Sequence, residues 1–148
     1  MAKETELKLT LPPAALPQLR KHPLLVAVKP ARFRLENTYY DTPDFALKKR
    51  RIALRHRRTR WGWLLTVKSA EPAAGALAQR SEWEAPSQPG EFDFSHVDNA
   101  ALRRELEALA PTLTPIFATD FLRTTWIVSP VASTRIEVAL DRGDIRCG

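Results

Sequence analysis

Apolar and polar residues alternate with a period of two over most of the chain, the mark of half-buried strands. In residues 3–11, Thr5, Leu7, Leu9 and Leu11 project one way and Glu4, Glu6, Lys8 and Thr10 the other, which predicts a strand carrying a charged row. Leu16, Leu19, Leu24 and Leu25 in the proline-rich stretch that follows predict a short helix entered at Pro12-Pro13 and broken near Pro23. A second strand is predicted over 32–42, closed by the turn residues Asp41, Thr42, Pro43 and Asp44, with a short helical or looped piece over 45–49. Segments 51–58 and 63–70 form a predicted hairpin joined through Thr59 to Gly62, where Gly62 supplies the positive φ of a tight turn. A loop over 71–78 then leads to an alternating strand over 79–86. Val97, Leu102, Leu106 and Leu109 predict an amphipathic helix from Ser95, as N-cap, to Ala110, with Pro111 beyond its end. Two further strands are expected over 118–129 and 133–141, and Arg142-Gly143-Asp144 reads as a turn into another strand at Ile145.

The alternation sorts charged side chains by face. Glu4, Glu6, Lys8, Arg55, Arg57, Lys68, Arg80, Glu82, Glu84, Arg123, Arg135, Glu137 and Asp141 fall on one side. Leu7, Leu9, Ile52, Leu54, Trp63, Leu65, Val67, Trp83, Trp126, Ile136, Val138 and Leu140 fall on the other. For one strand, a charged face in water is the ordinary explanation. Paired like charges at i and i+2 on several strands (Glu4/Glu6, Arg55/Arg57, Glu82/Glu84) repel and call for something between them. A sheet closed into a barrel with this face inward would make a lined tunnel. Its carboxylates could hold a hard divalent cation and its Arg and Lys side chains phosphate oxygens.

Composition narrows the alternatives. At 148 residues with 44% hydrophobic and 27% charged residues, the chain is expected to fold as one domain. Its net charge of +6 favours an anionic partner. The single Cys147 makes no internal disulfide, so a reducing cytoplasm is the expected compartment; no signal peptide or membrane span is read, so no membrane partner is expected. Phosphate-loop and serine-hydrolase motifs are absent. His22, His56 and His96 share no spacing that suggests a metal or catalytic pair, and Arg50, Arg51, Arg58 and Arg60 read as solvated surface.

The ordered motifs resemble the CYTH domain, or triphosphate tunnel metalloenzyme, family. They are Glu4, Glu6 and Lys8 as ExExK, then Tyr39 to Asp44, Arg55 and Arg57, Lys68, Glu82 and Glu84, Arg123, and finally Glu137 and Asp141. The resemblance implies an α+β fold built on an antiparallel eight-stranded β-barrel with flanking helices, here incomplete at its C-terminal end, with residues 1–148 as one CYTH domain. It implies hydrolysis of inorganic triphosphate with Mg2+ or Mn2+. Glu4, Glu6 and Lys8 would then be catalytic. Lys8, Arg55, Arg57, Lys68, Arg80, Arg123 and Arg135 would grip phosphate, and Glu4, Glu6, Glu82, Glu84, Glu137 and Asp141 would hold metal.

Family members continue beyond the Arg142-Gly143 turn, so the chain is read as a fragment that binds phosphate without turnover, in preference to an open barrel whose edge pairs with a second copy. A helical, histidine-rich CHAD domain is the expected following partner. Class IV-type adenylyl cyclase and thiamine triphosphatase share the phosphate grip and remain alternatives, as does a non-catalytic polyphosphate-binding module. Trp63, Trp83 and Trp126 on the outward face leave no evident base pocket, which favours tripolyphosphate. Carboxylates among the basic residues disfavour nucleic acid.

Overall fold

The computed structural model describes residues 2–70 and 77–147. Within them, seven strands build one antiparallel sheet: β1 (Ala2–Leu7), β2 (Ala31–Asp41), β3 (Ile52–Thr59), β4 (Gly62–Ala70), β5 (Leu77–Pro86), β6 (Thr114–Val128) and β7 (Ile136–Cys147). Their spatial order is β1-β5-β4-β3-β2-β6-β7, and the sheet curls into a half-barrel. The resemblance led to eight strands; the described residues supply seven, with β1 and β7 as the two edges.

The pairing register fixes the faces. Arg55 stands opposite Thr66 and Tyr39, Lys68 opposite Glu82, Thr66 opposite Glu84, and Glu4 opposite Arg80. All of these share the concave side, because cross-strand partners project together. On the convex side Ile52, Leu54, Leu65, Val67 and Trp83 pack with Phe94, Val97, Leu102 and Leu106 beneath helix α4 (Ala100–Leu109). A second cluster joins Trp126 and Val128 to Leu25 of α2 (Pro23–Val26), with Leu19 of α1 (Leu16–Arg20) alongside. The buried carboxylate of Asp41 accepts from the backbone N–H groups of Thr42 (2.7 Å), Leu47 (2.9 Å) and Lys48 (3.1 Å), which ties the end of β2 to α3 (Ala46–Lys49). Phe45, at φ 58°, makes the left-handed step between them. Gly62 closes the β3–β4 hairpin at φ 129°, where a side chain would be strained.

Four expectations are corrected. First, β1 stops at Leu7, the last residue with a partner on β5, so Leu9 lies outside the sheet at 74% exposed, and Leu7 itself is 60% exposed. Second, the helix of the proline-rich stretch breaks before Pro23 as expected, but Pro23 then opens a further short helix that was not foreseen. Third, α4 is capped by the side chain of Asn99, whose Oδ1 accepts from Leu102 N at 3.0 Å, and Ser95 and Val97 precede it in a turn. Fourth, Arg142-Gly143-Asp144 is not a turn: β7 runs on through Cys147 with Gly143 opposite Phe121. Of the loop expected over 71–78, residues 71–76 lie outside the described residues, and Leu77 and Ala78 belong to β5.

Gly143 is needed for contact rather than for turning. A Cβ there would meet the Asp120 carbonyl oxygen and lie 2.7 Å from the Phe121 ring. Gly143→Ala should therefore cost roughly 1–3 kcal/mol as β7 shifts off β6. Arg142→Ala, exposed one residue earlier, should change stability by less than about 0.5 kcal/mol. Urea unfolding of the two variants checks the difference.

Candidate functional site

The concave trough has a floor made by β3, the central strand. Arg55 and Arg57 stand two residues apart there, with Leu54 and His56 between and beyond them turned into the core. Arg55 is 7% exposed, and its Nε has no hydrogen-bond partner among the described residues. Arg57 donates from Nε to Asn37 Oδ1 at 2.8 Å, and Asn37 donates from Nδ2 to Thr119 Oγ1 at 2.9 Å. Burial, with Arg55 and then Arg123 as like charges, pulls the Arg57 guanidinium down to about 10, against weaker support from Tyr39 and Glu84. It stays charged at neutral pH, with its like-charged neighbours outweighing the anions around it.

Closed ion pairs line the walls. Lys68 Nζ donates to Glu4 Oε2 at 2.8 Å, and Arg123 donates from Nε and Nη2 to the two Asp141 oxygens at 2.7 and 2.8 Å. Burial is the largest influence on Glu4 and raises it; Lys68, Arg55 and Arg80 together outweigh burial and hold the carboxyl below its ordinary value. Glu82 goes the other way. Burial raises it first, the Glu4 and Glu84 carboxylates add to this, and Lys68 and Arg55 only partly offset them. Glu84 accepts from Thr66 Oγ1 at 2.7 Å. The Asp141 bond raises Arg123 most, against burial, with Glu137 and Glu6 contributing from β7 and β1. Side chains from both edge strands thus act on one guanidinium, as the curl of the sheet requires.

The structure gathers Glu4, Glu6, Arg55, Arg57, Lys68, Arg80, Glu82, Glu84, Arg123, Glu137 and Asp141 on the concave side. The buried Arg80 Nε has no hydrogen-bond partner among the described residues. Two expected members stand apart. Lys8 lies one residue past the last β1–β5 pair, and Arg135 precedes β7; both are exposed. The alternation argument placed each by extending a strand beyond its last hydrogen-bonded partner.

Sequence reasoning passed over Asn37, Thr66 and Thr119, all nearly fully buried on the charged side. The same parity marks them, since Thr66 is two residues before Lys68 and Thr119 four before Arg123, but uncharged residues attracted no attention. It also missed the aromatic wall. Trp83 and Trp126 do face the core, yet Tyr39 and Phe117 stack on the concave side with centroids 4.4 Å apart and planes 13° from parallel. They line a cavity of about 440 Å³ that also reaches Lys68 and Arg80. His56 belongs to the core: its ring meets Tyr40 Oη at 3.0 Å and the Glu91 carbonyl at 3.1 Å. Arg50 pairs with Glu105 (2.6 Å), Arg58 reaches Glu36 (3.5 Å), and Arg60 lies 4.2 Å over the Trp61 ring, all at the surface.

Solved structures share this architecture. A candidate adenylyl cyclase from Hippeastrum with a dominant triphosphatase activity aligns at TM-score 0.61 and 16% identity, covering 98% of this chain and 76% of its own. A candidate adenylate cyclase from Bacillus halodurans aligns at TM-score 0.51 and 19% identity, covering 95% and 79%. In sequence, an inorganic triphosphatase from Haemophilus influenzae is 39% identical over 155 residues, which takes in 100% of this chain but 42% of the relative. A family model for the CYTH domain matches residues 2–148. With the curled sheet, the ordered charged motifs and these matches in agreement, the chain belongs to the CYTH domain family.

Proposed function

We propose that this chain is the substrate-binding part of a divalent-metal-dependent inorganic triphosphatase. One observation carries the reading: on the floor of the trough Arg57 is a partly buried cation with Arg55 and Arg123 as like-charged neighbours and an uncharged amide as its hydrogen-bond partner, while carboxylates stand on the walls. A linear triphosphate would supply the missing anions to this floor and to the basic residues beside it. The triphosphatase relative supports the substrate.

Among the described residues no three Asp, Glu, His or Cys side chains are close enough to cage an ion. That suits magnesium, which binds one or two carboxylates together with substrate phosphates. Glu4 and Glu82 on adjacent strands are the best-placed pair, with Glu84 beside them and Glu6, Glu137 and Asp141 toward the edges. Bound there, the ion would supply Lewis-acid charge stabilisation. The chain's own groups do the rest. Arg55, Arg57, Lys68 and Arg123 hold the phosphates in line and take up charge that develops on their oxygens. Water attacks the terminal phosphorus, the anhydride bond breaks, and pyrophosphate leaves with the bond electrons. The water proton would pass to a carboxylate left off the ion or to solvent. Arg80 extends the basic wall, whereas Lys8 and Arg135 reach the substrate only if their segments fold inward. A CHAD domain elsewhere in a longer protein and pairing along the β1 or β7 edge are the proposed partner relations, and a cytoplasmic setting suits the single Cys147.

The Tyr39–Phe117 stack favours a second reading, in which the triphosphate carries a flat organic group, as in thiamine triphosphate or ATP. Phosphate release from tripolyphosphate, ATP and thiamine triphosphate, each with magnesium, manganese or chelator, decides between them. Preference for tripolyphosphate with metal supports the first reading. Binding without release from any substrate reduces the chain to a polyphosphate-binding module.

Two outcomes are expected. In Glu4→Gln with Glu82→Gln, phosphate release should fall by on the order of a hundredfold, while metal-free binding of tripolyphosphate strengthens because Lys68 loses its internal partner; calorimetry reads the second effect. The raised Glu82 must lose its proton to take up a cation. Metal-dependent tripolyphosphate binding should therefore decline, as pH is lowered, at a higher pH than for an ordinary glutamate. A pH series on Glu82→Gln should lack that step.

A further inference from the structure

We propose that Asn37 is a positioning residue that fixes how Arg57 presents its charge to phosphate, an inference that rests on the triphosphate reading. Asn37 is 3% exposed and has no role in the charged signature. Its amide is used at both ends: Oδ1 accepts from Arg57 Nε at 2.8 Å, and Nδ2 donates to Thr119 Oγ1 at 2.9 Å. The three residues lie side by side on β3, β2 and β6, since Asn37 is the register partner of both Arg57 and Thr119. The amide orientation is thereby set, because the reverse flip would turn an N–H group toward Arg57, which has only donors.

This contact distinguishes the two floor arginines. With Nε engaged, Arg57 has only its two terminal amino groups to offer, a fork matched to two oxygens of one phosphate. Arg55 differs in that its buried Nε has no such side-chain partner among the described residues. A neutral amide at position 37 also holds Arg57 without cancelling its charge; an aspartate would make an ion pair that competes with substrate. Where Arg123 is closed off by Asp141, Arg57 is steered but left electrostatically hungry.

The test is a double-mutant cycle on this chain, reading tripolyphosphate affinity by calorimetry in the presence of magnesium. Asn37→Leu should weaken binding by on the order of tenfold, and in an Arg57→Leu background it should add almost nothing. Thr119→Val should weaken binding in the same direction, while Thr119→Ser, which keeps the hydroxyl, should restore it. Asn37→Asp should bind more weakly than wild type even where its thermal midpoint is unchanged. Losses from Asn37→Leu and Arg57→Leu that simply add, or a Thr119→Val chain that binds as wild type, would overturn the proposal. If Asn37→Leu does not fold, the Thr119 pair decides alone. A folded wild-type chain with no tripolyphosphate affinity would remove the triphosphate reading and this inference with it, and is told apart because the loss precedes any substitution.

Discussion

Two guanidinium groups two residues apart on a central strand set the terms for the rest of the molecule. Arg55 and Arg57 are held about 7 Å apart along β3 by strand geometry, and neither can turn away, because Leu54 and His56 fill the core face between and beyond them. A one-residue slip of β3 would drive both charges under α4 and put Leu54 in the trough, a loss on both sides of the sheet. The apolar packing under α4 and the cationic floor are thus the two faces of one register. Asn37, Thr119 and Thr66 belong to the same solution, since buried polar side chains are tolerated where their hydrogen bonds are made.

Much of this was legible in the sequence for one reason. Period-two alternation records side-chain direction directly, so the concave residues of β3, β4 and β5 and the core residues behind them could be assigned without knowing the curl. Alternation does not record where pairing stops. Lys8 and Leu9 continue the pattern of β1 without a partner strand, and Arg135 continues that of β7, so these faces were drawn too long. Composition misled at Gly143, where a turn residue proved to be a close approach to Phe121. It misled again at Ser95, where Asn99 supplies the cap. The aromatic wall escaped because tryptophans were followed while Tyr39 was seen only as part of a motif.

The division between paired walls and unpaired floor has a consequence for binding. Lys68 and Arg123 already hold carboxylates, so a phosphate taking either cation leaves Glu4 or Asp141 without its counter-ion in a partly buried trough. A divalent cation on those carboxylates removes that cost. The two ligands would then favour one another by an equal free energy in both directions, with no change in the fold. Arg57 makes no such exchange, because its hydrogen-bond partner is the uncharged Asn37 amide. On the proposed reading, affinity for the bare anion would reside in the floor and metal dependence in the walls. The Lys68–Glu4 pair joins the two, and its carboxylate comes from β1, an edge strand that among the described residues pairs only with β5. How firmly β1 stays in place would then govern the coupling, while the proposed phosphate grip stays with the central strands.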